Sequence, residues 1–291
     1  MTAVFYLLTA FIWGSTWYGV KVHQMSTVPL AVSNFYRFSI AVFVLFLYTQ
    51  MRKQTWPKLF LRDHGLMVLQ GLFLFCLNYY CYMRSVAYVP SGLTSVAFSS
   101  IIVFNCAFSA LFLKLAVTRQ MIIGGLFGIA GLCVIFSGHL VHFQEGGLEI
   151  YGLLFGVAGA VASSFGHIIA KYAQMRGADV VQNCLYSMAY GVGWWALFVM
   201  VNGDGLTFEP TVSYVTALLY LSVVGSTMAF IFFLILLRNI GPGRASYVFI
   251  ISPVVALVVS SLLEGYVWSN TLIIGLLLVI TGNVLMLQRR G

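Results

Sequence analysis

Charge is scarce in this 291-residue chain: Asp, Glu, Lys and Arg make up 8% of it, against about 25% in a soluble domain. With 61% hydrophobic residues and a mean hydropathy of +0.97, a soluble globular fold is excluded. Acids are the rarer charge, seven against fifteen bases. None sits inside an apolar run: Asp63, Glu145, Glu149, Asp179, Asp204, Glu209 and Glu264 all fall in connections or at their edges. That leaves no paired-carboxylate site for acid–base chemistry. No glycine-rich stretch ends in Lys-Ser or Lys-Thr to cradle a nucleotide phosphate, so the chain has no ATPase of its own. The five cysteines (Cys76, Cys81, Cys106, Cys133, Cys184) lie in apolar runs, with neither zinc-site spacing nor an extracellular pairing pattern. They read as small packing residues. Metal-ligand spacing is missing from every run, and neither an enzyme nor a bound cofactor is expected. The first residues, "MTAVFYLLTAFIWGSTWYGVKV", lack a basic n-region and a small-residue cleavage site, which makes them a retained first span.

What the sequence has is apolar runs of membrane-crossing length. A span needs about 20 mostly apolar residues, and ten such runs follow: 2–21, 29–49, 65–87, 92–113, 120–138, 151–171, 180–201, 213–237, 244–263 and 271–288. The fold class is all-α integral membrane, in a lipid bilayer. The formal net charge of +8 sits mostly in short connections, so it reads as a topology signal and not as a nucleic-acid surface. With the N-terminus in the cytoplasm, every basic residue except Lys21, Arg37 and Arg84 falls on the cytoplasmic side, including Arg52, Lys53, Lys58, Arg62, Arg238, Arg244, Arg289 and Arg290. Five of the acids then face outward, Asp63 and Asp179 inward. Both termini are expected to be cytoplasmic, in a bacterial inner membrane.

The chain also repeats itself. Shifted by 150 residues, "GSTWYGVK" falls on "SFGHIIAK", pairing Lys21 with Lys171; Tyr36 falls on Tyr186, and "FLKLAV" on "LLEGYV". With a shift of 152, "YVPSGLTS" falls on "IGPGRASY". Five spans per repeat is an odd number, so the second repeat enters the membrane inverted, an architecture typical of alternating-access transporters. The expected division is 1–145 and 146–291.

At this point "FIWGSTWYGVKV", "NFYRFSIAVF", "AYVPSGLTSVAFSSIIVFNCAFSALFLK" and "GPGRASYVFIISPVVALVVSSLLEGYVWSNTLIIGLLLVITGNVL" resemble the two EamA-type repeats of the drug/metabolite transporter superfamily. The resemblance covers nearly the whole chain. It implies ten helices around a central cavity, with the fifth and tenth peripheral. It also implies export of amino acids and related metabolites, or carriage of nucleotide sugars, sugar phosphates or drugs. Members often have Pro in the fourth span and Glu after it. Here only the second repeat keeps both, as Pro253 and Glu264; Val103 and Lys114 stand in the first.

Arg37 leads the candidate binding residues. It lies about 10–13 Å below the outer surface, counting about 1.5 Å per residue. An intramembrane Arg costs at least about 2.5–3.5 kcal/mol, so it faces the bundle interior or a wet cavity. There it either receives a carboxylate or phosphate in bidentate geometry, or caps carbonyls beside Ser33 and Asn34. Trp13, Trp17 and Lys21 recur at i, i+4 and i+8, as an aromatic wall ending in a cation or as an interfacial anchor. Their repeat partners are Ser163, His167 and Lys171. His167 either contacts substrate or takes up a proton, or is a packed polar residue. Asn78, Tyr79 and Tyr82 either line the cavity or hydrogen-bond between helices. Arg84 reads as a snorkelling residue. Ser99 in the fourth span, Ser252 beside the kink expected at Pro253, and Tyr186 complete the set. The glycines of "GGLFGIAG" (124–131) and "GLLFGVAG" (152–159) have small-xxx-small spacing and read as helix packing. A monomer or a homodimer is compatible with them.

A cationic, aromatic cavity favours a solute with a carboxylate and an apolar or zwitterionic body. The expected function is a secondary transporter, most simply an exporter of amino acids or related metabolites. A sugar-phosphate or organic-anion exchanger is the alternative, since Arg37 and Lys21 would both suit a phosphate. A cationic-drug exporter would want a buried carboxylate. A lipid-handling protein or a receptor would need a headgroup site or a signalling domain, and the sequence has neither.

Overall fold

A computed structural model describes residues 2–52, 59–114, 118–143, 148–245 and 248–287. Lys53, Lys58, Glu145, Ser246, Arg289, Arg290 and the expected division at 145/146 lie outside the described residues. Ten helices cross the bundle among those described: α1 Thr2–Gln24, α2 Leu30–Met51, α3 Leu61–Val86, α4 Ser91–Leu113, α5 Arg119–Phe143, α6 Glu149–Met175, α7 Val180–Asn202, α8 (212–245), α9 Val248–Leu263 and α10 Asn270–Leu287. Six of them (α2, α3, α4, α6, α7 and the 212–236 part of α8) are long and apolar enough to cross a membrane by length and composition. In α5, α9 and α10 the apolar stretches are shorter, at 122–135, 248–263 and 270–285. The chain is thus a multi-pass helical membrane protein built from two inverted five-helix repeats.

Local chemistry sets the helix ends. The Asp179 side chain accepts the Val181 and Gln182 amides at 3.1 and 3.0 Å and starts α7. Gly203, at φ +69°, ends it in the left-handed region. Pro29 and Pro90 immediately precede α2 and α4. Several boundaries differ from the hydropathy reading, three of them most relevant to the interior. Helix α3 begins at Leu61 rather than 65, and α8 continues to Ala245 rather than stopping near 237, so α9 starts at Val248 rather than 244. Hydropathy stops at the first charged residues, whereas backbone hydrogen bonding continues past them.

Three interruptions shape the interior. The segments Gly71–Leu77 of α3 and Tyr220–Met228 of α8 are π-helical. They occupy equivalent places in the two repeats, since a shift of 150 carries 71–77 onto 221–227. Helix α4 breaks between Phe98 and Ile101. There the Ser99 and Ser100 hydroxyls each donate back to a carbonyl three residues earlier at 2.7 Å, a bond that bends helices. The expected kink of the fourth span in the second repeat maps to Pro253, inside α9.

The glycine motifs pack helices within the chain. A Cβ on Gly131 of α5 would lie 2.6 Å from the Gly275 carbonyl of α10, and one on Gly282 would strike the Gly124 carbonyl. Helices α5 and α10 therefore meet backbone to backbone. Gly152 and Gly156 of α6 seat against Val89 and Ala97, and Gly159 against the Tyr82 ring.

Candidate functional site

Residues from seven helices line one central cavity, with about 60 Å³ of room. Trp13, Thr16, Trp17 and Val20 line it from α1, Arg37 from α2, and Leu74, Asn78, Tyr79 and Tyr82 from α3. Phe98 stands at the α4 break, Ser163 and His167 on α6, Phe230 on α8, and Phe249 and Ser252 on α9. Among the described residues, α5, α7 and α10 contribute nothing to this wall.

Arg37 is 2% exposed. Its Nε donates to the Ser226 hydroxyl at 2.9 Å, its one hydrogen bond among the described residues. Its guanidinium carbon stands 4.6 Å from the centre of the Tyr79 ring and 5.4 Å from that of Phe38. Among the described residues no carboxylate lies within ion-pair distance of it. Ser226 belongs to the π-helical segment of α8, so the bond joins the first repeat to the second. Trp13 does the same: its indole nitrogen donates to the Gly225 carbonyl at 3.3 Å. Its ring stacks on Phe249 at 5.5 Å and 10°. The first-repeat π segment has a matching tie, with Trp195 of α7 donating to the Phe75 carbonyl at 2.8 Å.

Opposite Arg37, Asn78 and Tyr82 converge on the Ser163 hydroxyl at 3.1 and 2.6 Å, and Tyr82 also donates to the Gly159 carbonyl at 3.3 Å. These are interhelical bonds made by residues that also face the cavity, so the two sequence readings of this pair hold together. His167 meets Asn105 at 3.4 Å through Nδ1, and Ser164 donates to the same Asn105 at 2.9 Å. Pro253 has no amide hydrogen, so the Phe249 carbonyl loses its helical donor at the cavity wall.

Eight of the sequence candidates thus share the cavity: Trp13, Trp17, Arg37, Asn78, Tyr79, Tyr82, His167 and Ser252. Lys21, Ser99 and Tyr186 lie elsewhere. Eight helical residues turn through about 800°, so Lys21 stands about 80° round from Trp13, while Val20 at i+7 stays on the face. Lys21 instead donates to the Val86 carbonyl at 3.1 Å, near the C-terminus of α3. Ser99 is 1% exposed and spends its hydroxyl on the Val96 carbonyl. Tyr186 lines a separate cleft between α2 and α7, with Ser39, Phe46 and Gln50. Thr16, Phe98, Ser226, Phe230 and Phe249 carry no distinguishing signal of their own as candidates. The three phenylalanines and Ser226 sit in runs indistinguishable by composition from lipid-facing ones. Thr16 lies between the two tryptophans, where the helical period is the one signal that could find it.

Polar ties close the bundle at each end. At the end carrying the α1–α2 and α7–α8 connections, Glu209 accepts the Thr27 amide and hydroxyl, both at 2.9 Å, and Tyr36 donates to the Thr207 carbonyl at 3.2 Å. Ser91 donates twice to Glu264 there, from its amide at 3.2 Å and from its hydroxyl. The Glu209 carboxyl is held below the usual range by the bonds it accepts, the Thr27 amide first, then the Thr211 and Thr27 hydroxyls. At the other end Arg62 donates to Tyr172 at 2.8 Å, and His64 meets Tyr190 at 2.8 Å.

Comparison with known proteins agrees with this architecture. The EamA-like transporter family model matches residues 1–137 and 150–288. Escherichia coli K12 has a relative named "Uncharacterized inner membrane transporter YedA", 26% identical over 257 residues, or 87% of this chain and 80% of that protein. "Uncharacterized transporter YoaV" of Bacillus subtilis is 25% identical over 276 residues, 93% of this chain and 91% of that one. A crystal structure superposes with a TM-score of 0.68 at 16% identity, covering 98% of this chain and 95% of the other. That likeness speaks to the fold alone.

Proposed function

Because this chain belongs to the EamA-like transporter family, we propose that it is a secondary transporter whose central cavity binds a small carboxylated metabolite. Amino acids and their relatives are the class that the family resemblance favours, with export the favoured direction. The observation that carries the reading is Arg37: a buried guanidinium whose one hydrogen bond among the described residues is through Nε, in a cavity walled by aromatic rings. Bidentate binding of a carboxylate uses the nitrogens that the Ser226 bond leaves over. Inverted repeats around a mid-membrane cavity support alternating access, the two halves rocking about the site. The name of the Escherichia coli relative supports an inner-membrane location, and the basic connections support cytoplasmic termini. In that orientation the Thr27–Glu209 and Ser91–Glu264 ties lie at the external face.

The phosphate alternative rests on two cations. Lys21, the second, is committed to the Val86 carbonyl, which favours the carboxylate.

The test is efflux from liposomes loaded with a mixed metabolite pool, with Arg37→Ala beside the wild type. The wild type is expected to deplete one or a few carboxylated solutes, and the variant to need at least about tenfold more solute for the same rate. Equal rate and affinity in the two would remove Arg37 from the binding site.

A further inference from the structure

We propose that the cavity selects a carboxylate that carries no ammonium group, in preference to a zwitterionic amino acid. This rests on the reading above that the cavity binds a carboxylated solute beside Arg37.

The second charge of a zwitterion has no good place to go. An α-ammonium lies one carbon away from its carboxylate. A carboxylate seated on Arg37 would therefore hold the ammonium within a few ångströms of the same guanidinium, in a dry interior where like charges are weakly screened. A carboxylate facing the ammonium would relieve this. None of the seven acids in this chain lies within an apolar run, and none lines the cavity among the described residues.

Ring faces are the other acceptor for an ammonium, and those of Tyr79 and Trp13 are engaged. Arg37 stands over the Tyr79 face at 4.6 Å. Phe249 covers the Trp13 face in a near-parallel stack. The Tyr82 hydroxyl is held by Ser163. What the wall offers in surplus is donors: the Arg37 nitrogens beyond Nε, and the Trp17 indole N–H, which has no hydrogen bond among the described residues. An indole only donates. A donor-rich, acid-free site matches a monoanion with an apolar body. The Phe249 carbonyl freed by Pro253, the His167 imidazole and the Ser252 hydroxyl are acceptors that work against this preference.

Matched pairs that differ only in the ammonium test it: 3-phenylpropanoate against phenylalanine, and 4-methylpentanoate against leucine. Binding is measured by titration calorimetry on the purified full chain at pH 7, and transport by counterflow in liposomes. The ammonium-free member of each pair is expected to bind at least about tenfold more tightly, because like-charge juxtaposition disfavours the zwitterion. Arg37→Gln, checked for a monodisperse fold, should weaken the anion and level the pair. Trp17→Phe, which keeps an aromatic ring and removes the donor, should weaken the anion more than the amino acid. Equal or tighter binding of the amino acid overturns the proposal and leaves the carboxylate reading standing. If no member of either pair binds, the carboxylate reading falls, and this proposal falls with it.

Discussion

At Arg37 solvation and function pull in opposite directions. A guanidinium at 2% exposure with one neutral acceptor and two ring faces is far less well solvated than in water. Replacing even a buried ion pair by apolar groups of similar volume is often neutral or stabilising, by up to about 1–4 kcal/mol, and Arg37 has no carboxylate partner among the described residues to leave behind. Arg37→Met is therefore expected to raise the thermal midpoint in detergent while abolishing binding, read by differential scanning fluorimetry beside calorimetry. A fall in the midpoint would mean that Arg37 is chiefly structural. Glu209 carries a pH dependence of definite sign. Its folded carboxyl titrates below the ordinary value of 4.5, so its stabilisation is complete above that value and is lost as pH falls through the folded pKa. Exchange of the Thr27 amide should accelerate across that acid window in the wild type and show no such step in Glu209→Gln, as read by hydrogen-exchange mass spectrometry. Much of the site is readable at this scale, because an arginine in an apolar run has few places to go. Lys21 escapes such a reading because spacing in steps of four drifts round a helix with 3.6 residues per turn.

At the level of helices, the bends are the least legible features. Proline announces the one expected in α9, where Pro253 lies inside the helix. The α4 bend uses Ser99 and Ser100, which are common in membrane helices without bending them. The two π segments have no composition of their own; they stand out only as a pair in equivalent places. Glycine is the better guide, and its two roles separate by experiment. Gly131→Val puts branched carbons against the α10 backbone and should cost about 1–3 kcal/mol by overpacking, measured by urea or detergent denaturation. A Cβ added at Gly193 of α7 would meet nothing within 4 Å. Gly193→Ala should therefore stabilise by about 0.5–1 kcal/mol through helix propensity alone.

Across the whole molecule the two repeats interlock rather than abut. The second helix of each leans on the π segment of a third helix: α2 on that of the opposite repeat through Arg37 and Ser226, and α7 likewise through Trp195 and the Phe75 carbonyl. Motion of one half against the other must load these ties. In the proposed cycle the Thr27–Glu209 tie opens at each turnover. A short thiol cross-linker between Thr27→Cys and Glu209→Cys should arrest counterflow, and reduction should restore it. Undiminished transport in the cross-linked protein would show that this end need not open. The repeat itself is legible from residue offsets. The way the halves exchange contacts is not, because it depends on which helices are neighbours, and hydropathy carries no record of that.

The backbone contact between α5 and α10 has a consequence in time. Gly131 meets Gly275, made 144 positions later in the chain. At about 5–20 residues per second of synthesis, roughly 7–30 seconds separate their emergence from the ribosome. For that interval α5 sits in the bilayer with its glycine face covered by lipid alone. Helix α10 is thus the one that completes the fifth, and ribosome stalling or truncation before it should leave a nascent chain whose first half is inserted but unsealed.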